Sequence, residues 1–219
     1  NKLLQLQTAK AIGFDIPKTL ISNNQVDIIE FFRTHRANVI HKMFHPAKFG
    51  SATACTARLD AEALENSDSL GICPGIYQEH LSIEFEVRVF IAGEGVVAAQ
   101  LFNDSPGSDV KLSLLRKPEV FPYTLPGELL GKCRRLVASL GLISASLDLA
   151  FTKDGRWIFF EINQAGQFLW LELLNERIKC LDMFCRFLRS DTEGSTKSRR
   201  IALSAADYLQ GEFSTPMGG

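Results

Sequence analysis

The chain has 219 residues, 46% of them hydrophobic and 22% charged, enough for one large domain or two small ones around a buried core. Its 24 Lys and Arg against 25 Asp and Glu give a formal net charge of −1, so no electrostatic footprint for nucleic acid is expected. No apolar run reaches membrane-spanning length, and the opening NKLLQLQTAK lacks the basic-then-apolar layout of a signal peptide. The cysteines (Cys55, Cys73, Cys133, Cys180, Cys185) form no CxxC pair and read as reduced core thiols of a cytoplasmic protein, in preference to zinc ligands or disulfides.

Residues 1–12 place Leu3, Leu4, Leu6, Ala9 and Ile12 at helical spacing, and Gly13 follows as a stop. Residues 16–21 are extended, and Asp27 is positioned to cap a second helix through Phe31 and Phe32. Residues 37–44, ANVIHKMF, read as a strand with Lys42 at its polar-facing end. A lysine there is costly to bury unpaired, unless it snorkels to the surface. Residues 47–57, AKFGSATACTA, are small and Gly/Ser/Thr-rich, as a cover over phosphates needs, because small residues let backbone N–H groups approach.

In residues 76–93, IYQEHLSIEFEVRVFIAG, alternation puts Phe85, Val87, Val89 and Ile91 on one face of a strand and Glu86 and Arg88 on the other. The Arg88 guanidinium is permanently charged and binds two oxygens at once, which suits a transferring phosphoryl group. The alternative is a Glu86–Arg88 surface pair of little energetic weight. Gly93-Glu94-Gly95 turns the chain into a second arm over 96–102. Residues 103–122 are irregular and polar; Lys111, Arg116 and Lys117 either meet an acidic peptide or solvate a loop. Residues 126–140 form a helix with a core stripe of Leu129, Leu130, Cys133, Leu136, Val137 and Leu140, ended by Gly141.

Residues 144–163, SASLDLAFTKDGRWIFFEIN, read as a hairpin around Asp154-Gly155. A two-residue loop there sets Asp148 opposite Glu161 and Ser146 opposite Asn163. Two opposed carboxylates repel unless a cation lies between them, and a hard divalent ion prefers carboxylate and amide oxygens. Glu161 and Asn163 share a strand face, so Asp148, Glu161 and Asn163 converge. The competing reading is a solvated hairpin with incidental charges. Residues 176–189 read as a closing helix, 190–198 as a polar linker and 199–209 as a short terminal helix.

The phrase FFEINQAGQFLWLE resembles the closing metal motif of the ATP-grasp ligases, above all the graspetide (microviridin-type) ligases that cross-link ribosomally made peptides. FEVRV resembles that family's Glu-x-Arg strand, and the opening NK…GF.IP.TLISN resembles the start of its ATP-binding half. The resemblance covers about residues 1–190 and implies an α+β ATP-grasp fold, two α+β subdomains enclosing ATP. The expected division is 1–80 and 81–190, with 191–219 as linker and tail. The domain that precedes this half in relatives is expected to be missing from the chain. Family members usually carry Pro at the position of Gln164 and often a basic residue near Gln100.

By the same resemblance Asp148, Glu161 and Asn163 hold Mg2+ against the phosphates of ATP. Lys2 and Lys42 contact phosphates, and the small segment 47–57 covers them. Gln78, Glu79, His80 and Leu81 form the hinge that meets the adenine edge through backbone groups, Glu84 serves the ribose hydroxyls, Lys42 neutralises the inner phosphates and Arg88 the transferring group. The implied reaction activates a carboxylate as an acylphosphate and forms an amide or ester in a precursor peptide with acidic side chains. No nucleic-acid or membrane partner is expected, and a homodimer is possible. Two alternatives stay open: an ATP-grasp ligase for amino acids or glutamate, and a non-catalytic pseudoligase.

Overall fold

The computed structural model describes residues 1–49, 52–60, 64, 70–102 and 118–190; side chains 44–55 and 190 lie outside that description. The polar segment with Lys111, Arg116 and Lys117 and the readings over 191–219 also fall outside it.

The chain opens with helix α1 (Lys2–Ile12), capped by the Asn1 side chain, and ends that helix at Gly13, whose φ of 97° is left-handed. Strand β1 (Thr19–Ser22), helix α2 (Gln25–Thr34), and strands β2 (Val39–Phe49), β3 (Ala52–Arg58) and β4 (Gly75–Glu79) follow. The cap of α2 is Asn24, which accepts from the Val26 N–H; Asp27 lies in the first turn instead. The segment read as a loop over 47–57 is mostly strand, since β2 runs on to Phe49 and pairs with β3. Thr53 and Thr56 are β-branched and the alanines are small, so the backbone closes a ladder there.

These strands form an antiparallel sheet in the order β1-β4-β2-β3. Val39 and Tyr77 pack with Ile28 and Phe32 of α2 in a common apolar cluster. Strand alternation therefore turns Ile40, Lys42, Ile76 and Gln78 to the opposite face.

The second sheet is built from β5 (Ile83–Ala92), β6 (Gly95–Phe102), β7 (Glu119–Pro122), β8 (Ser144–Thr152) and β9 (Trp157–Asn163), in the order β7-β6-β5-β8-β9. Helices α3 (Gly127–Ser139), α4 (Leu169–Leu174) and α5 (Cys180–Ser190) complete the described elements. The closing helix starts at Cys180, later than the periodicity indicated, and the Glu172 carboxylate accepts from the Leu181 N–H at its first turn.

One face of this sheet carries the main core: Val87, Val89, Ile91, Leu147, Leu149, Phe159 and Ile162 pack against Leu6 and Ala9 of α1 and Leu129, Cys133, Leu136 and Val137 of α3. Although α1 comes first in the chain, it thus packs on the second sheet. The other face is covered in part by a second apolar cluster of Ala99, Leu101, Val120, Leu171, Ile178 and Cys180 and by Phe90 stacked on Phe168. It also carries the polar side chains from β5, β8 and β9 where the candidate site lies.

Candidate functional site

The hairpin β8–β9 begins with a difference from the sequence expectation. Phe151 pairs with Trp157, Ala150 with Ile158 and Leu149 with Phe159, so the loop is one residue longer than Asp154-Gly155 alone. Gly155 supplies the left-handed residue, with φ 83°, that a three-residue loop requires. Continued without interruption, that register would set Phe160 opposite Asp148. A bulge intervenes: the register shifts between Asp148 and Leu149, and Asp148 pairs with Glu161 and Ser146 with Asn163. The opposed carboxylates are therefore present, through a longer loop and an extra residue.

The bulge also decides which aromatic ring goes where. Phe159 is fully buried in the core, tilted against Phe14 with centroids 5.5 Å apart. Phe160 and Glu161 both leave the core face, and the Lys42 Nζ of the first sheet stands 5.4 Å from the Phe160 ring centroid. Sequence reasoning missed Phe160. The signal was the doublet Phe159-Phe160, since regular alternation cannot turn one ring to the core and leave both Phe160 and Glu161 outside it.

Arg88 on β5 pairs directly with Asp148 on β8, and Asp148 with Glu161 on β9, so the three stand in a row across neighbouring strands. The Arg88 Nη1 donates to the Asp148 Oδ1, and its Nη2 donates to the Gln167 carbonyl at 3.4 Å. Lys2 of α1 closes the row, its Nζ lying 2.5 Å from the Glu161 Oε2. The Asn163 Nδ2 donates to the Glu161 Oε1 at 3.0 Å, confirming the shared face. Arg88 is a buried cation, whereas the Asp148 side chain keeps 22% exposure, which leaves its carboxylate an open side.

Burial pushes the Asp148 carboxyl above the ordinary range; the Arg88 guanidinium opposes that rise, and the Glu161 carboxylate adds to it. The set Asp148, Glu161 and Asn163 is all oxygen donors on one face, two carboxylates and one amide, which fits a hard divalent cation. Among the described residues no cluster of three or more His, Cys, Asp or Glu competes with it. The buried Arg88 Nε and Ser146 Oγ have no hydrogen-bond partner within the protein, so the site holds polar capacity for a ligand.

The other sequence candidates sit apart from this row. Gln78 is buried and donates to the Thr19 Oγ1 at 2.9 Å, and the Glu79 Oε1 accepts from the Lys18 N–H at 2.9 Å. His80 spends both backbone groups on Asn38: its N–H donates to the Asn38 carbonyl at 2.8 Å and its carbonyl accepts from the Asn38 Nδ2 at 2.9 Å. Burial, and after it the Arg58 charge, lower the His80 imidazole pKa below its usual value. Leu81 follows at the edge of a depression of about 420 Å³ lined by His80, Ser82 and Lys153. Glu84 is exposed and is the extra residue of a second bulge, where β5 shifts register against β8 between Ile83 and Phe85.

No family model and no curated protein matches the chain. Solved structures do. The macrocyclase MdnC of Microcystis aeruginosa MRC, bound with its precursor peptide MdnA, is 33% identical over 79% of this chain and 55% of its own, with a TM-score of 0.70. A RiPP-associated ATP-grasp ligase of Chryseobacterium gregarium, in complex with ADP and a leader and core peptide, is 25% identical over 92% of this chain and 62% of its own, with a TM-score of 0.78. The macrocyclase MdnB of Microcystis aeruginosa MRC is 29% identical over 80% of this chain and 55% of its own, with a TM-score of 0.63. The chain thus spans 55% to 62% of the length of these neighbours. With two antiparallel sheets, the row of charged side chains across β5, β8 and β9, and these matches, the chain has the ATP-grasp fold and is similar to RiPP-associated ATP-grasp ligases.

Proposed function

We propose that the chain forms the nucleotide-binding part of an ATP-dependent ligase that joins a carboxylate to an amine or hydroxyl within a ribosomally made precursor peptide. One observation carries the reading: Arg88, Asp148 and Glu161 stand side by side on three adjacent strands, with Lys2 beyond Glu161, so that two neighbouring acids are flanked by two bases, and with the Asn163 amide bonded to Glu161. The likeness to MdnC and to the Chryseobacterium ligase supports the peptide substrate and the nucleotide.

Asp148, Glu161 and Asn163 would hold Mg2+, which when bound neutralises phosphate charge. The chain's own residues do the rest. A carboxylate oxygen of the peptide attacks the γ-phosphorus, the bond to ADP breaks, and Arg88 balances the charge on the transferring group. Lys42 lies beside Phe160, where a base face and the inner phosphates would meet one aromatic ring and one ammonium. The acceptor nitrogen or oxygen then attacks the acylphosphate carbon and phosphate leaves.

In this reading residues 1–80 and 81–190 act as two subdomains around the nucleotide, with Gln78, Glu79, His80 and Leu81 as the hinge and Glu84 at the ribose. Since His80 uses its own backbone groups on Asn38 and the Glu79 N–H donates to the Lys18 carbonyl at 3.1 Å, the Leu81 backbone would read the adenine edge. The described cysteines Cys73, Cys133, Cys180 and Cys185 are free thiols, in keeping with a cytoplasmic site of action. Among the described residues no helix is long and apolar enough to cross a membrane.

The test is calorimetric titration of ADP, with and without Mg2+, into the wild type and Glu161→Ala. Magnesium-dependent binding in the wild type that disappears in the variant is expected. Equal binding in both proteins would remove Glu161 from the site.

A further inference from the structure

We infer that Gln5 is a positioning residue for the metal-binding strand, holding both backbone groups of Ile162, the residue that separates Glu161 from Asn163. The inference rests on the reading of Glu161 and Asn163 as cation ligands.

Among the described strands β9 is the outer one of its sheet, so its outward N–H and C=O groups need partners that none of those strands supplies. A primary amide presents a donor and an acceptor side by side, as the outward-facing N–H and C=O of one strand residue do. Gln5 uses both: its Nε2 donates to the Ile162 carbonyl at 2.8 Å, and its Oε1 accepts from the Ile162 N–H at 3.4 Å. The helix therefore offers β9 one residue's worth of a missing strand.

A second anchor lies farther down the same edge. The Phe159 N–H donates to the Asp15 carbonyl at 2.8 Å, next to a parallel bridge between Asp15 and Ile158. The bulged residue Phe160 and the ligand Glu161 lie between the two anchors. A bulge interrupts the ladder and leaves its extra residue without a pairing partner. Near this one, the fixed points on the outer edge are Asp15 on one side and Gln5 on the other.

The Ile162 N–H belongs to the peptide plane shared with Glu161 and its carbonyl to the plane shared with Asn163, so rotation of either plane would swing one of these two residues out of register. Gln5 prevents that rotation from outside the site, touching neither ligand side chain. Lys2, one helical turn earlier on α1, meets Glu161 directly, so the same helix face both restrains the backbone and pairs the carboxylate.

The experiment measures Mn2+ binding by electron paramagnetic resonance in the full chain with ADP, for the wild type, Gln5→Met and Ala9→Gly. Gln5→Met keeps side-chain length and helix propensity but removes both hydrogen bonds, and should weaken Mn2+ binding 10- to 100-fold, as loss of an outer-shell partner typically does. Its affinity for ADP without metal should match the wild type. Ala9→Gly loosens the same helix at a fully buried position and leaves both Gln5 hydrogen bonds to Ile162 available, and should keep wild-type Mn2+ affinity despite a lower Tm. Unchanged Mn2+ binding in Gln5→Met, or weakening that follows Tm equally in both variants, would overturn the role of Gln5. Absence of Mn2+ binding in the wild type with ADP would instead overturn the site on which it rests. Should Gln5→Met fail to fold, Gln5→Glu, which keeps the acceptor but not the donor, takes its place in the same comparison.

Discussion

Arg88 stands directly opposite Asp148 across β5 and β8 and donates its Nη1 to the Asp148 Oδ1. The guanidinium is buried, so each charge depends on the other to offset its loss of water. Arg88→Met leaves a partly buried carboxylate without its counter-charge and is expected to destabilise the fold by roughly 1–3 kcal/mol, less than for a fully enclosed pair, and under the proposed function to abolish turnover. Arg88→Lys restores the charge but not the fork, so urea unfolding should show most of the stability recovered while ATP consumption stays low. Recovery of both by lysine would mean that two-pronged contact is not needed.

The raised Asp148 carboxyl has opposite consequences for binding and stability. Its folded value lies above the ordinary 3.8, so the fold favours its protonated form. As pH rises from 3.8 through the folded value, ionisation in the folded state costs stability. Under the proposed metal-binding role, the carboxylate would be lost as a ligand as pH falls through that same folded value. Divalent-cation affinity should therefore begin to fall at a higher pH than an ordinary aspartate predicts. A titration flat down to about pH 4 would reject this assignment.

Lys42 and Phe160 come from different sheets and meet with the ammonium 5.4 Å from the ring centroid. Phe160→Ala should weaken ADP binding by about 1–3 kcal/mol if a base stacks there, with little change in Tm because the ring is only half-buried. Lys42→Met should weaken ADP more than it weakens adenosine, since the ammonium addresses phosphate. Equal losses for both ligands would place Lys42 against the base instead.

Gly155 sits at φ 83°, and a Cβ added there meets no atom within 4 Å. Gly155→Ala should therefore cost about 1–2 kcal/mol through backbone strain alone. Metal and nucleotide binding by the folded variant should be unchanged, because the bulge lies beyond the loop and sets the ligand register. Calorimetric titration of the folded variant checks this.

Burial pushes the Cys133 thiol and the Cys180 thiol each up to about 12, the latter also under the influence of Glu172. At pH 8 only on the order of 1 in 10,000 such thiols is ionised, and the thiolate is the reactive form. Exposed Cys73 should react with iodoacetamide in the native protein while Cys133 and Cys180 react only after unfolding. Rapid native labelling of Cys133 would contradict its place in the core.

Much of the architecture is legible in the residues themselves. Alternation in FEVRVFIA separates Val87, Val89 and Ile91 from Arg88, and the stripe Leu129, Cys133, Leu136 and Val137 marks the buried face of α3. Gly13 ends α1 because only a residue tolerant of positive φ stops a helix there cheaply. The convergence of Asp148, Glu161 and Asn163 was also legible, but by an argument that the structure amends: the loop is longer, and the bulge at Phe160 restores the pairing.

Local propensity determined the elements, their faces and the chemistry of the charged row, since these depend on neighbours within a few residues. The tertiary structure alone decided which distant groups meet. Lys2 reaches Glu161 across 159 positions of sequence, Gln5 reaches Ile162 across 157, and Arg88 reaches Asp148 across 60. The physical reason is that an outer strand and a buried charge each leave a demand for partners that no local rule assigns. The packing of α1 and β5 around the β8–β9 hairpin decides who supplies them.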